Sequence, residues 1–110
     1  MEVSASRANA RFSLRGRNAI VRFRAPAAAR YAQFTLRRAH GGRRRGTVAD
    51  ALGYARVTGA GSTLTTRIVL TARQRRSVRA GVNSLAIAYS TCRGPVGTWQ
   101  WVTPRAASRR

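Results

Sequence analysis

Along most of this chain apolar and polar residues alternate with a period of two, the mark of half-buried β-strands. In "NARFSLRG" (9–16), Ala10, Phe12 and Leu14 interleave with Arg11, Ser13 and Arg15. "GRN" (16–18) supplies turn chemistry, and "AIVRFRAP" (19–26) repeats the device. There Ala19, Val21 and Phe23 oppose Arg22 and Arg24 until Pro26 ends the run, so the two segments read as a hairpin. "YAQFTLRR" (31–38) puts Ala32, Phe34 and Leu36 on one face. "TVADALGYARVTG" (47–59) is less regular and reads as a strand broken or bulged around Gly53. "TLTTRIVL" (63–70) sets Leu64, Thr66, Ile68 and Leu70 against Thr65, Arg67 and Val69.

One segment changes period. Thr71 to Gln74 fits a T-x-x-Q capping box, and Gly81 fits a left-handed C-terminal cap. Between them, 72–79 make about two helical turns with Val78 as the only substantial apolar residue. So short a helix needs tertiary support, which makes it a crossover between strands. "NSLAIAYSTC" (83–92) follows, with Leu85, Ile87 and Tyr89 on one side and Ala86 and Ala88 on the other. "TWQWVTP" (98–104) places Trp99 and Trp101 on one face, which in a sandwich favours packing in the core, although with Tyr89 they are also candidates to stack bases or to form a glycan platform. The pattern predicts an all-β sandwich of about seven strands over residues 9–104, with a helical crossover near 72–79. Residues 1–8 are expected to be a flexible segment and 105–110 a basic disordered tail. Phe23, Phe34, Ile68 and Ile87 are expected to be buried.

Composition supports a single two-layer domain. The chain has 110 residues, and 20 of its apolar residues are alanine, so the core is thin. All 22 basic residues are arginine, Glu2 and Asp50 are the only acids, and the net charge is +20. Such a field favours polyanions and destabilises the compact state by self-repulsion. Heavy alanine and arginine use without lysine also fits a GC-rich coding bias. The single cysteine, Cys92, excludes an internal disulfide and a cysteine-rich zinc cluster, and is expected to be a small core side chain. No apolar run reaches the ~20 residues of a membrane-spanning helix. The first twelve residues lack the apolar stretch of a signal peptide. That suits an intracellular or virion protein if these residues are the whole product, and a surface protein if they are an excised domain or mature form.

Little in the sequence suits catalysis. His40 lies in the glycine-flanked basic loop "HGGRRRG" (40–46), and Asp50 reads as a turn former or ion-pair partner. Nothing brings Cys92 to His40, and that loop lacks the lysine and hydroxyl residue of a P-loop. No enzyme activity, cofactor or metal site is therefore predicted. The basic clusters are the candidate site. Arg37, Arg38, Arg43, Arg44 and Arg45 gather near one hairpin end, and Arg73, Arg75, Arg76 and Arg79 lie on the crossover. Helical spacing is expected to put Arg75, Arg76 and Arg79 on one exposed side. Arginine's planar fork suits phosphate and carboxylate alike.

The stretch "GAGSTLTTRIVLTARQRRSVRAGVNSLAIAY" (59–89), with "GTWQWVT" (97–103) after it, resembles immunoglobulin-like sandwich modules. These are common in secreted and cell-surface proteins of high-GC actinobacteria, and similar modules decorate phage particles. The resemblance extends over residues 9–103 in strand order, although this chain has no second cysteine and few acids. It implies a non-catalytic structural or adhesive module. Its partners would be other protein domains or subunits, or an acidic polysaccharide, met through arginine-rich loops. The competing reading is an intracellular nucleic-acid-binding protein, ribosome-associated or in contact with a viral genome. Helix-turn-helix and zinc-finger modes of reading DNA have no support here.

Overall fold

The computed structural model describes residues 2–3, 8–39, 47–59, 61–80, 84–94, 96 and 98–102. The elements run β1 (Glu2–Val3), β2 (Ala10–Arg15), β3 (Asn18–Arg24), β4 (Tyr31–Ala39), β5 (Thr47–Arg56), β6 (Thr63–Val69), α1 (Ala72–Ala80), β7 (Leu85–Ser90) and β8 (Gln100–Val102). They form two antiparallel sheets. One has the order β2-β3-β6. In the other, β5 pairs β4 and β4 pairs β7, while the far side of β7 is shared by β1 at Tyr89 and Ser90 and by β8 at Leu85 to Ile87.

The alternation read from the sequence is the alternation observed. Phe12 and Leu14, then Ala19, Val21 and Phe23, then Ala32, Phe34 and Leu36 are all buried, as are Ile68, Leu70, Leu85, Ile87 and Tyr89. Phe34 of one sheet packs edge-on against two rings of the other, Phe12 at 6.3 Å and Phe23 at 5.9 Å between centroids. Phe23 also meets Tyr89 at 6.4 Å. The Tyr89 hydroxyl donates to the Ala8 carbonyl at 2.7 Å, which ties β7 to the chain entering β2.

Two local devices fit the expected chemistry. Gly16, at φ +59°, opens the two-residue turn between the paired Arg15 and Asn18, a conformation that favours glycine. In β5, Phe34 pairs with Gly53 while Thr35 pairs with Ala51, so Leu52 is the extra residue of a bulge. The bulge changes parity, so that Leu52 at the bulge and Ala55 and Val57 beyond it all pack on the core. Gly53 takes φ +134° there.

Helix α1 begins with the reciprocal cap. Gln74 N donates to Thr71 Oγ1 at 3.1 Å, and Thr71 N donates to Gln74 Oε1 at 3.0 Å. Val78 plugs the helix into the core. Asp50 sits within β5 and not in a turn, and its Oδ2 accepts from Gln74 Nε2 at 3.2 Å, close to the helix start. Gly81 and the tail 105–110 lie outside the described residues. Glu2 and Val3, within the N-terminal segment, make the short β1.

Two sequence expectations are corrected. Cys92 is exposed, because it follows β7 in the segment that leaves the sheet. Trp99 and Trp101 do share a face, but it is the outer one. Trp101 pairs with Ala86, whose neighbours Leu85 and Ile87 take the inward positions, so the indole points away from the inter-sheet core.

Phe34→Ala is expected to cost about 3–5 kcal/mol in denaturant unfolding, since it removes the ring that both Phe12 and Phe23 meet. Burial raises the Tyr89 hydroxyl well above its ordinary pKa of 10.0. A raised folded-state pKa gives stability that is full below the unfolded value and is lost as pH climbs beyond it. Stability should therefore fall above about pH 10, and Tyr89→Phe should lose that part of the decline.

Candidate anion-binding face and aromatic groove

Parity and register together decide where the arginines go. Because Phe12, Val21 and Phe23 face inward, the alternate positions of β2, β3 and β6 face solvent, and register sorts them into rungs. Arg11, Arg22 and Thr65 share one rung, Ser13, Ile20 and Arg67 the next, and Arg15, Asn18 and Val69 the last. Arg24 pairs with Thr63 at the other end. Arg11, Arg15, Arg22, Arg24 and Arg67 are all exposed. Rungs on one face lie ~7 Å apart along a strand and ~5 Å apart across strands. That is within one Debye length of about 8 Å at physiological salt, so their fields add.

No acidic side chain answers them on this face. Glu2 and Asp50, the only two in the chain, belong to the other sheet. Arg11 stands directly opposite Arg22, a like-charge pairing that opposes the sheet when nothing anionic is bound. At the Arg24 end a groove of about 470 Å³ is lined by Asn9, Arg11, Arg22, Arg24 and Thr63. Arg24 is steadied there by donating its Nε to the Gly61 carbonyl at 2.7 Å.

The arginines picked from linear clusters fare differently. Arg73, Arg76 and Arg79 are exposed on α1. Arg75 is not part of that exposed side. It flanks the buried Val78 one turn earlier, is half-buried, and donates to the Leu70 carbonyl at 3.0 Å. Arg37 lies on the outer face of the larger sheet with its guanidinium 4.2 Å from the centre of the Trp101 ring. Arg43, Arg44, Arg45 and His40 lie outside the described residues, as does the side chain of Arg38. The three-sheet-strand grid was not found from the sequence, because its members are far apart in the chain. The signal was present in the outward positions of three predicted strands, but only register joins them.

The outer face of the larger sheet has a different character. Register places Tyr54, Gln33 and Ala88 in one row, and Ala51, Thr35, Ala86 and Trp101 in the next. Ala51, Thr35, Ala86 and Ala88, with Gln33 among them, thus lie between Tyr54 and the strand that carries Trp101. A groove of about 400 Å³ opens there, lined by Gln33, Thr35, Ala51, Tyr54, Val96 and Trp99. The Arg93 guanidinium sits 4.5 Å from the centre of the Tyr54 ring and hydrogen-bonds its hydroxyl. Tyr31 packs on Tyr54 at 5.8 Å.

Among the described residues no group of three or more histidine, cysteine or acidic side chains could hold a metal ion. Among the described residues no helix is long and apolar enough to cross a membrane. Comparison with protein-family models, curated proteins and solved structures finds no match.

Replacing Arg22 by threonine, a good strand residue, should remove the like-charge rung without touching the core. The variant is expected to melt higher than the parent in low salt, and the difference should vanish in concentrated salt. A melting temperature lowered at both salts would show that the Arg11–Arg22 rung does not oppose folding.

Proposed function

We propose that this chain is a non-catalytic, immunoglobulin-like interaction module. In this reading it serves as a structural or adhesive unit, at a cell surface or in a particle, and holds an acidic partner on the outer face of β2-β3-β6. The observation that carries the proposal is the grid of Arg11, Arg15, Arg22, Arg24 and Arg67, with no carboxylate on its face.

Strand order supports the immunoglobulin-like part. Counted from β2, the first, second and fifth strands form one sheet, and the third, sixth and seventh lie in the other. Immunoglobulin-like modules divide their strands in this way, and here the fourth strand pairs with the third. The polyanion part rests on donor chemistry. Five guanidiniums with threonine, serine and asparagine between them offer many N–H and O–H groups, and no aromatic ring that could stack a base. Such a face grips charge on a backbone and does not read sequence.

The test is a salt titration of binding to random duplex DNA, run beside a sulfated polysaccharide of similar charge density. Both are expected to bind, with steep and parallel salt dependence. Replacing Arg11, Arg22 and Arg67 together by threonine should weaken both and flatten the slope by roughly 2–3, at about 0.9 per lost phosphate contact. Unchanged binding by that variant would remove the grid as the site. Duplex binding that persists after the polysaccharide has dissociated would turn the reading to a nucleic-acid-binding protein.

A further inference from the structure

We propose that the groove at the Arg24 end of the grid is a binding site for a phosphomonoester, the doubly charged phosphate borne by a small molecule or by the end of a polymer. The site rests on the reading of this face as anion-binding, and it adds selectivity to what is otherwise a general attraction.

Register builds the groove from two rungs. Arg22 and Arg24 are successive outward positions of β3, ~7 Å apart. Arg11 stands beside Arg22 on β2, and Thr63 beside Arg24 on β6. Asn9 completes the Arg24 rung, since its carbonyl accepts the Arg24 backbone N–H at 3.0 Å. The three arginines line one volume of about 470 Å³, with no acid among the described residues around it. Such a volume is near the small end of ligand sites and holds a phosphate with part of the group it esterifies.

All three arginines have N–H groups to give. Arg24 spends its Nε on the Gly61 carbonyl at 2.7 Å, which leaves the N–H groups of both terminal nitrogens. That contact also holds the fork in place, so less freedom is lost on binding. Among the described residues nothing accepts from the Arg11 or Arg22 guanidinium, so both keep their full set of donors.

Oxygen count and charge then select the anion. A carboxylate or a phosphodiester offers two oxygens for charge-assisted hydrogen bonds, whereas a terminal phosphate offers three, one for each arginine. A sulfate ester also has three, yet carries a single charge. A phosphomonoester carries nearly two at neutral pH, its second pKa being about 6. Three guanidiniums with no carboxylate on their face favour the doubled charge. A dianion between Arg11 and Arg22 also relieves the like-charge opposition of their rung.

The experiment compares two rhodamine-labelled oligonucleotides of equal total charge by fluorescence anisotropy. One is an octathymidylate with a 5′-phosphate, the other an unphosphorylated decathymidylate. At about pH 8 the phosphorylated strand is expected to bind roughly fivefold more tightly, or better. At about pH 5 its terminal phosphate holds a single charge, and the preference should disappear. Arginine stays charged at both values, so the change reports the phosphate. Arg24→Thr and Arg22→Thr should each lose the preference with the circular dichroism spectrum unchanged. Arg67→Thr, in the grid but outside the groove, should weaken both strands alike and keep it. Competition by glucose 6-phosphate, and not by glucose 6-sulfate, would support the site and place its ligand among small molecules. An intact preference that the sugar phosphate cannot displace would support it at polymer ends. Equal binding of the two strands at the higher pH, or a preference kept by both Arg24→Thr and Arg22→Thr, would overturn the site and leave the grid standing. If neither strand binds, the grid reading falls as well.

Discussion

The contact on which the structure turns is Phe34 set between Phe12 and Phe23. It joins the two sheets, and it also fixes parity. Once Phe12 and Phe23 point inward to meet Phe34, every alternate residue of β2 and β3 must point out. A one-residue slip in either strand would bury Arg11 or Arg22 and expose the phenylalanines. Hydrophobic packing thus holds the arginines in register on a surface that they would themselves push apart.

That opposition shapes the rest of the molecule. With 20 alanines among its apolar residues, the chain has few large side chains to set against a net charge of +20. The fold concentrates them. Three phenylalanines and Tyr89 make one connected aromatic cluster, and the Tyr89 hydroxyl is satisfied by the Ala8 carbonyl rather than left bare. Any anion that binds the folded grid more tightly than the unfolded chain adds to this stability by mass action. In the proposed reading, the partner is then part of what makes so basic a sheet tenable.

Much of this was legible in the sequence, and what was not has a single cause. Strand faces follow from period-two patterning, the α1 start from Thr71 and Gln74, and the β5 irregularity from Gly53, because each is a local rule. Trp99, Trp101 and Cys92 were misjudged because burial in the core was inferred from residue type, whereas their surroundings depend on how the last strand meets β7. Arg75 differs from Arg76 through its position relative to Val78, a matter of where the helix docks. The grid and the groove are both products of register between distant strands. The linear clusters were the visible signal, but Arg11, Arg22 and Arg67 meet only in three dimensions.

The placement of β7 explains why the two outer faces differ. All six of its residues are buried, including Ala86 and Ala88 on the side away from the core. Such small outward residues cannot shield their own strand; Trp101 of β8 stands beside Ala86 on that side, and Trp99 lines the groove nearby. Gln33, Thr35, Tyr54 and Trp99 together line the groove left open on this face. The strands of the other sheet need no such shielding, since their outward arginines and threonines are already at home in water. One face is thereby a flat field of charge and the other a cleft with walls. A chain with a single thin core can in this way present two surfaces of different chemistry.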